Sequence, residues 1–187
     1  TGLPGSFAHT TAAISALLEQ GISVTVKVIL DDETCRSMMD IFQFVQLHWG
    51  KHVRLNLCGL DLCGLTDDER RKVLLHYPTQ AAQLETFLSA AEHYYGETLQ
   101  DHVVISEYPL CCVDPYFWKL VHKTQTNLTA YIRDNTLLTS EHLRKESTCF
   151  PHAEKCRSCL AEAFCPGIWY SVYALYGEEL VTPYQQA

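Results

Sequence analysis

Three shortages narrow the field before any motif is read. The 187 residues contain no apolar run approaching the roughly 20 that a spanning helix needs, and no charged segment followed by an apolar stretch of the kind that opens an exported chain. No membrane partner and no export are expected, and the chain reads as cytoplasmic. Basic charge is also scarce. Fourteen Lys and Arg stand against 22 Asp and Glu, a net charge of −8. Proteins grip phosphate backbones through a stripe of Lys and Arg, so nucleic acid is not an expected partner. An initiating methionine is missing too: the chain opens at Thr1, directly in a TGLPG loop, which suggests an upstream part removed or encoded elsewhere.

What is present is enough apolar residue, 47%, to bury a sizeable core. Ser6 can cap a helix whose apolar positions Phe7, Ile14, Leu17 and Leu18 recur at helical spacing until Gly21. Residues 22–30, ISVTVKVIL, alternate Ile22, Val24, Val26 and Val28 with Ser23, Thr25 and Lys27, as a strand does. DDET then offers cap residues to a helix carrying Met38, Ile41, Phe42, Val45 and Trp49 on one face, and VRLNLCGL makes a second strand. Thr66 and Glu69 have capping-box spacing, a helix with Leu84, Phe87, Leu88, Ala91 and Tyr95 on one face runs to about Gly96, and HVVIS makes another strand. Such alternation means a parallel sheet, because parallel neighbours require crossover connections.

Strands of an all-parallel sheet are ordinarily apolar on both faces. Here one face carries Ser23, Thr25 and Lys27 on the first strand and Arg54, Asn56 and Cys58 on the second. Two accounts fit that pattern. Either this face is simply exposed, or the strands form part of a barrel whose outer face packs on helices and whose lumen holds a polar ligand. In the second account Lys27, Arg54 and Asn56 point at the ligand, with Asp31 and Asp32 at the C-terminal lip, where α/β sites are built.

Nine cysteines in a chain this long, an odd number without an export signal, read as reduced thiols and not as a disulfide framework. Cys35, Cys58 and Cys63 lie in apolar segments and are expected to be small core residues. The other six, Cys111, Cys112, Cys149, Cys156, Cys159 and Cys165, fall in the C-terminal half, and CRSCLAEAFCPG spaces three of them as C-x2-C-x5-C. A structural zinc site usually shows two short Cys pairs, or one with an H-x3-5-H, and only Cys156/Cys159 forms such a pair. Cys165 precedes Pro166, a Cys-Pro step also found in ferredoxin-type loops, so the spacing leans toward iron and sulfur.

The segment CRSCLAEAFCPGIWYSVYALYGEEL, residues 156–180, resembles the auxiliary iron–sulfur region of radical SAM enzymes of the SPASM or twitch type, and TGLPGSFAHTTAAISALLEQGISVTVKVIL resembles the later half of a radical SAM barrel. The resemblance implies the C-terminal portion of a partial (β/α)6 radical SAM barrel over residues 1–100. A small cysteine-rich iron–sulfur domain would follow over residues 101–187. It further implies a [4Fe–4S] cluster in this chain and S-adenosylmethionine in a full-length parent, whose radical acts on a peptide or small-molecule substrate. The family's C-x3-C-x2-C motif is absent, so this chain alone is not expected to cleave S-adenosylmethionine and should require a missing N-terminal barrel half or partner chain. A further SPASM cysteine would stand at Trp169, which favours a single auxiliary cluster. For its fourth ligand Cys111, after a predicted strand in EYPLC, is preferred by resemblance to the local Cys149; His152 and an open iron are the other cases, and Cys112 would face away from Cys111 in an extended segment. A zinc-stabilised interaction module and an electron-transfer accessory subunit are the alternative readings.

Overall fold

The computed structural model describes residues 3–62, 65–70, 72–73, 75–122, 131–133, 136–138 and 152–185. Helix α1 (Ser6–Glu19) leads to strand β1 (Val24–Leu30), and α2 (Asp32–Arg36) with α3 (Met38–His48) leads to β2 (Val53–Gly59). Next come α4 (Asp67–Arg70), α5 (Tyr77–Tyr95) and α6 (Leu99–His102) before β3 (Val103–Ser106), then two 3-10 turns, Leu110–Cys112 and Pro115–Leu120, before β4 (Val121–His122). Strands β5 (Tyr131–Arg133) and β6 (Thr136–Leu138) pair antiparallel, and α7 (Tyr170–Tyr176) follows the cysteine loop.

Local chemistry explains several boundaries. The cap of α1 is Gly5, at φ 77°, and not Ser6, because glycine enters the left-handed region without steric cost. Asp31 caps α2 by accepting a 2.7 Å hydrogen bond from the Thr34 N–H. The single helix expected after DDET is broken at Ser37, which leaves helical geometry and separates α2 from α3. The capping box forms as its spacing implies, with Thr66 N–H donating to Glu69 at 2.8 Å and Glu69 N–H to Thr66 Oγ1 at 3.3 Å.

The sheet has the order β1-β2-β3-β4 and every pair is parallel. Strands that neighbour each other in chain order, joined by right-handed crossovers, send all their connections over one face. On that face Val28, Leu30, Leu55, Leu57, Val103 and Ile105 bury themselves against Met38, Phe42 and Val45 of α3 and Phe87, Leu88 and Ala91 of α5. The opposite face, set by the register Thr25↔Arg54, Lys27↔Asn56 and Cys58↔Ser106, carries the polar side chains, with Cys58 and Val104 buried among them. The chain is thus an α/β protein with one sheet face packed on helices and one that is polar. Among the described residues no helix is long and apolar enough to cross a membrane.

Composition places a boundary near residue 101, but the sheet runs past it: β3 and β4 complete it, and Cys112, Ala153, Ile168 and Val181 join the same core as Val28 and Leu55. The cysteine loop therefore packs on the sheet unit. Gln80, fully buried, ties the layers together by donating to Asp32 at 2.6 Å and accepting from the Tyr108 hydroxyl at 2.9 Å.

Gly59 ends β2 where β3's exit crosses it. A Cβ there would lie 1.9 Å from the Glu107 carbonyl oxygen and 2.9 Å from its carbon, and a backbone neighbour cannot rotate away as a side chain can. Gly59→Ala should therefore cost about 2 kcal/mol or more, within or above the usual range for overpacking. Equilibrium denaturation in urea checks this, and an unchanged midpoint would contradict the close crossing.

Candidate functional site

Four cysteines from two segments surround one cavity. Cys111 sits in the 3-10 turn after β3, entered through Pro109, and Trp118 pins that turn by donating its indole N–H to the carbonyls of Leu110 at 3.2 Å and Val113 at 2.9 Å. Trp118 is itself held edge-on by Phe164 and Tyr184, ring centroids 5.4 and 5.2 Å away. Cys156 lies in the 3-10 turn Glu154–Ser158, and Cys159 N–H donates to the Cys156 carbonyl at 2.8 Å, closing the C-x2-C step into a tight knuckle. A further turn, Cys165 N–H to the Ala161 carbonyl at 2.8 Å, brings the third cysteine of the loop back.

Cys111, Cys156, Cys159 and Cys165 all line this cavity, together with His152, and part of it is open to solvent. Two main-chain donors aim at one sulfur: Leu110 N–H and Gly167 N–H each lie 3.4 Å from Cys165 Sγ. Pro166 has no N–H, so Gly167, at φ 82°, supplies the first donor after Cys165. His152 Nε2 is 3.2 Å from the Cys165 carbonyl, which engages that nitrogen with the backbone.

The thiols differ in acidity. Cys111 is drawn down to about 7, first by a hydrogen bond from Cys112, against burial, and then by the Thr182 N–H and the Lys155 charge. Burial pushes Cys156 and Cys165 up, and both feel Cys111 and Cys159 as additional negative charge. Cys112, buried in the core, is raised by that burial and does not line the cavity. Among the described residues, no group of three or more His, Cys, Asp or Glu side chains is arranged to hold a metal ion. Cys149 and Cys63 lie outside the described residues.

The residues expected to face a ligand share the polar sheet face. Lys27 and Asn56 are directly opposite across β1 and β2; Arg54 lies two residues lower, its guanidinium 3.5 Å from the Gln100 carbonyl and its Nε buried without a partner. Cys58, from the same face, and Glu107, which pattern reading passed over, join Lys27 at the lip. Glu107, the one non-glycine residue with positive φ (57°) among those described, accepts a 2.8 Å hydrogen bond from the Cys58 thiol and faces Lys27 Nζ at 3.7 Å. Burial, followed by the Glu107 hydrogen bond and charge, pushes Cys58 up to about 11. Lys27 is raised: its partial burial opposes this, but Cys58 and Glu107 outweigh it. Asn56 accepts from the Ser106 hydroxyl at 2.8 Å. The signal for Cys58 was its place two residues after Asn56, on the same face of β2.

The cavity and the lip are fastened together. Trp169, four residues after Cys165, donates its indole N–H to the Gly59 carbonyl at 3.2 Å. Ser171 of α7 bridges Asp61 at 2.6 Å and Leu62 N–H at 2.9 Å. The cysteine loop thereby sits by the C-terminal end of β2.

Because the thiolate is the nucleophile, the acidity order can be measured in the reduced, metal-free chain. Cys111 should be alkylated by iodoacetamide with a midpoint near pH 7, returning to its ordinary value of 9.0 in urea, while Cys58 stays protonated until about pH 11. A folded-state midpoint for Cys111 above about 8.5 would remove the Cys112, Thr182 and Lys155 contacts as its cause. No family model, curated protein or solved structure matches the chain.

Proposed function

We propose that this chain is the C-terminal portion of a radical SAM enzyme and holds an auxiliary [4Fe–4S] cluster through Cys111, Cys156, Cys159 and Cys165. The observation that carries the reading is the gathering of these four thiols, from positions 45 or more residues apart in the case of Cys111 and the loop, around a single cavity. The donor set fits the group. All four ligands are cysteine, as iron–sulfur clusters prefer, and two backbone N–H groups address a ligand sulfur, a contact that tunes such clusters.

Bound there, the cluster supplies one-electron transfer. With a cysteine for each iron, no iron is left for substrate, so the chain's residues favour electron relay over substrate anchoring. Trp118, Phe164 and Tyr184 wall the loop, and Cys111 offers a thiol already ionised near neutral pH for ligation. The sequential parallel strands, covered outside and polar inside, support the late part of a (β/α)6 barrel. Within that barrel Lys27, Asn56 and Arg54 would face S-adenosylmethionine or an anionic group of a peptide or small-molecule substrate. The missing barrel half would pair with the free edge of β1, beside which Phe7, Leu17, Ile22 and Ile29 are exposed.

Reconstituted anaerobically, the chain should take up about four iron and four sulfide. Cys111→Ala, Cys156→Ala, Cys159→Ala and Cys165→Ala should each lose a stable cluster, and Cys149→Ala should keep it. One zinc per chain and no sulfide would instead establish the zinc-stapled module. In a second assay the reconstituted chain with strong reductant should give no deoxyadenosine above the protein-free control, since it lacks C-x3-C-x2-C; turnover would refute the reading as a C-terminal portion.

A further inference from the structure

Among the described residues, Cys112 is the one cysteine of this region that the cluster reading leaves without a task. It follows Cys111 directly, is 3% exposed, and turns into the core beside Tyr77 and Tyr108. In an extended segment the two side chains would diverge, but the 3-10 turn Leu110–Cys112 brings their sulfurs to 3.9 Å. The turn is held from both sides: Cys112 N–H donates to the Pro109 carbonyl at 3.1 Å, Val113 N–H to the Leu110 carbonyl at 3.0 Å, and Trp118 bonds the Leu110 and Val113 carbonyls. One sulfur of the pair thus meets the solvent-open cavity and the other is kept behind it.

We propose that Cys111 and Cys112 are a reversible oxidative modification site, forming a disulfide with each other when the cavity thiols carry no metal. The oxidant is a peroxide. The Cys111 thiolate attacks one peroxide oxygen, giving the sulfenic acid Cys111–SOH and releasing hydroxide; the Cys112 thiol then attacks that sulfur, forming the S–S bond and releasing water. Two electrons leave the pair and reduce one peroxide. Cys112 is placed for the second step because its sulfur need approach by only about 2 Å to reach bonding distance. Cys156, Cys159 and Cys165 belong to a separate segment, and the Cys165 sulfur, which meets this turn, is held by the Leu110 and Gly167 N–H groups. Adjacent residues hold their Cα atoms at about 3.8 Å, below the usual disulfide span of about 4.4–6.8 Å, so the bond is strained and thiols reverse it readily. The modification caps Cys111 short of its irreversible sulfinic and sulfonic forms. Its consequence for cluster assembly rests on Cys111 being a ligand; the bond itself does not.

The test treats the full chain, reduced and stripped of metal by chelation under anaerobic conditions, with stoichiometric hydrogen peroxide, then N-ethylmaleimide, then proteolysis and mass spectrometry. The peptide carrying residues 111 and 112 should be about 2 Da lighter and take no label until dithiothreitol is added, when it takes two. Given about three or more equivalents of peroxide per chain, Cys111 of Cys112→Ala should pass to forms about 32 or 48 Da heavier that dithiothreitol does not reverse, while in the wild type it still stops at the disulfide. Recovery of iron and sulfide after peroxide and dithiothreitol should then fall severalfold below wild type. The proposal is overturned if wild-type Cys111 is found linked to Cys156, Cys159 or Cys165, if both thiols of the pair remain free to react, or if Cys112→Ala recovers as fully as wild type. Should that variant not fold, the wild-type peptide map decides alone. An untreated chain that takes up no iron or sulfide would defeat the cluster reading and leave the mass result standing.

Discussion

Thiols packed around a shared, largely buried space resist ionisation, because each new thiolate loses hydration and meets the charge of its neighbours. That restraint shows in the raised Cys156 and Cys165, and it is overcome at Cys111, where the Cys112 hydrogen bond comes first and the Thr182 N–H and Lys155 add to it. A cationic iron core would invert the balance for all four, since a metal-bound thiol is deprotonated outright. Much of the surrounding architecture can be understood as keeping those thiols in place without it. Strand β3 delivers Cys111, Trp118 locks its turn, and two tight backbone turns fold the loop from Cys156 to Cys165.

The sheet gives that cavity its neighbourhood. Four parallel strands in chain order pack one face on α3 and α5, and polar residues of the other gather toward the C-terminal lip, where parallel sheets bind ligands. Glu107 is the least relaxed of them. Its left-handed backbone is fixed by the crossing over Gly59, and the same crossing sets its carboxylate against Cys58 and Lys27. Strain held in this way belongs with function more often than with packing. Trp169 and Ser171 then join this lip to the cysteine loop, so a group in the cavity and a ligand on the polar face would share one rigid frame.

Period and spacing made much of this legible. Alternation in VTVKVIL and VRLNLCG located β1 and β2 and predicted which side chains share the polar face; helical spacing located α5, whose Leu84, Phe87, Leu88, Ala91 and Tyr95 are all buried. The apolar positions of α1 did not foretell burial, since none of its residues is buried at the edge of the sheet. β4 escaped because two residues carry no period. Cys58 was taken for a core residue; it is indeed 1% exposed, but its partner Glu107 is brought to it by a backbone crossing 49 residues along the chain, which no local pattern encodes. The meeting of Cys111 with the C-x2-C-x5-C loop was anticipated by resemblance alone, because nothing in its own spacing links residue 111 to residue 156. Trp169, read as a missing cysteine, turned out to have a structural bond of its own.

X-ray absorption on the anaerobically reconstituted chain reaches the central claim most directly, because it reports on what the four thiols hold. The account predicts an iron edge with an iron–sulfur shell and a second, iron–iron shell, the latter lost in Cys111→Ala. A zinc edge with a single sulfur shell near about 2.3 Å, and no iron–iron scattering, would contradict it.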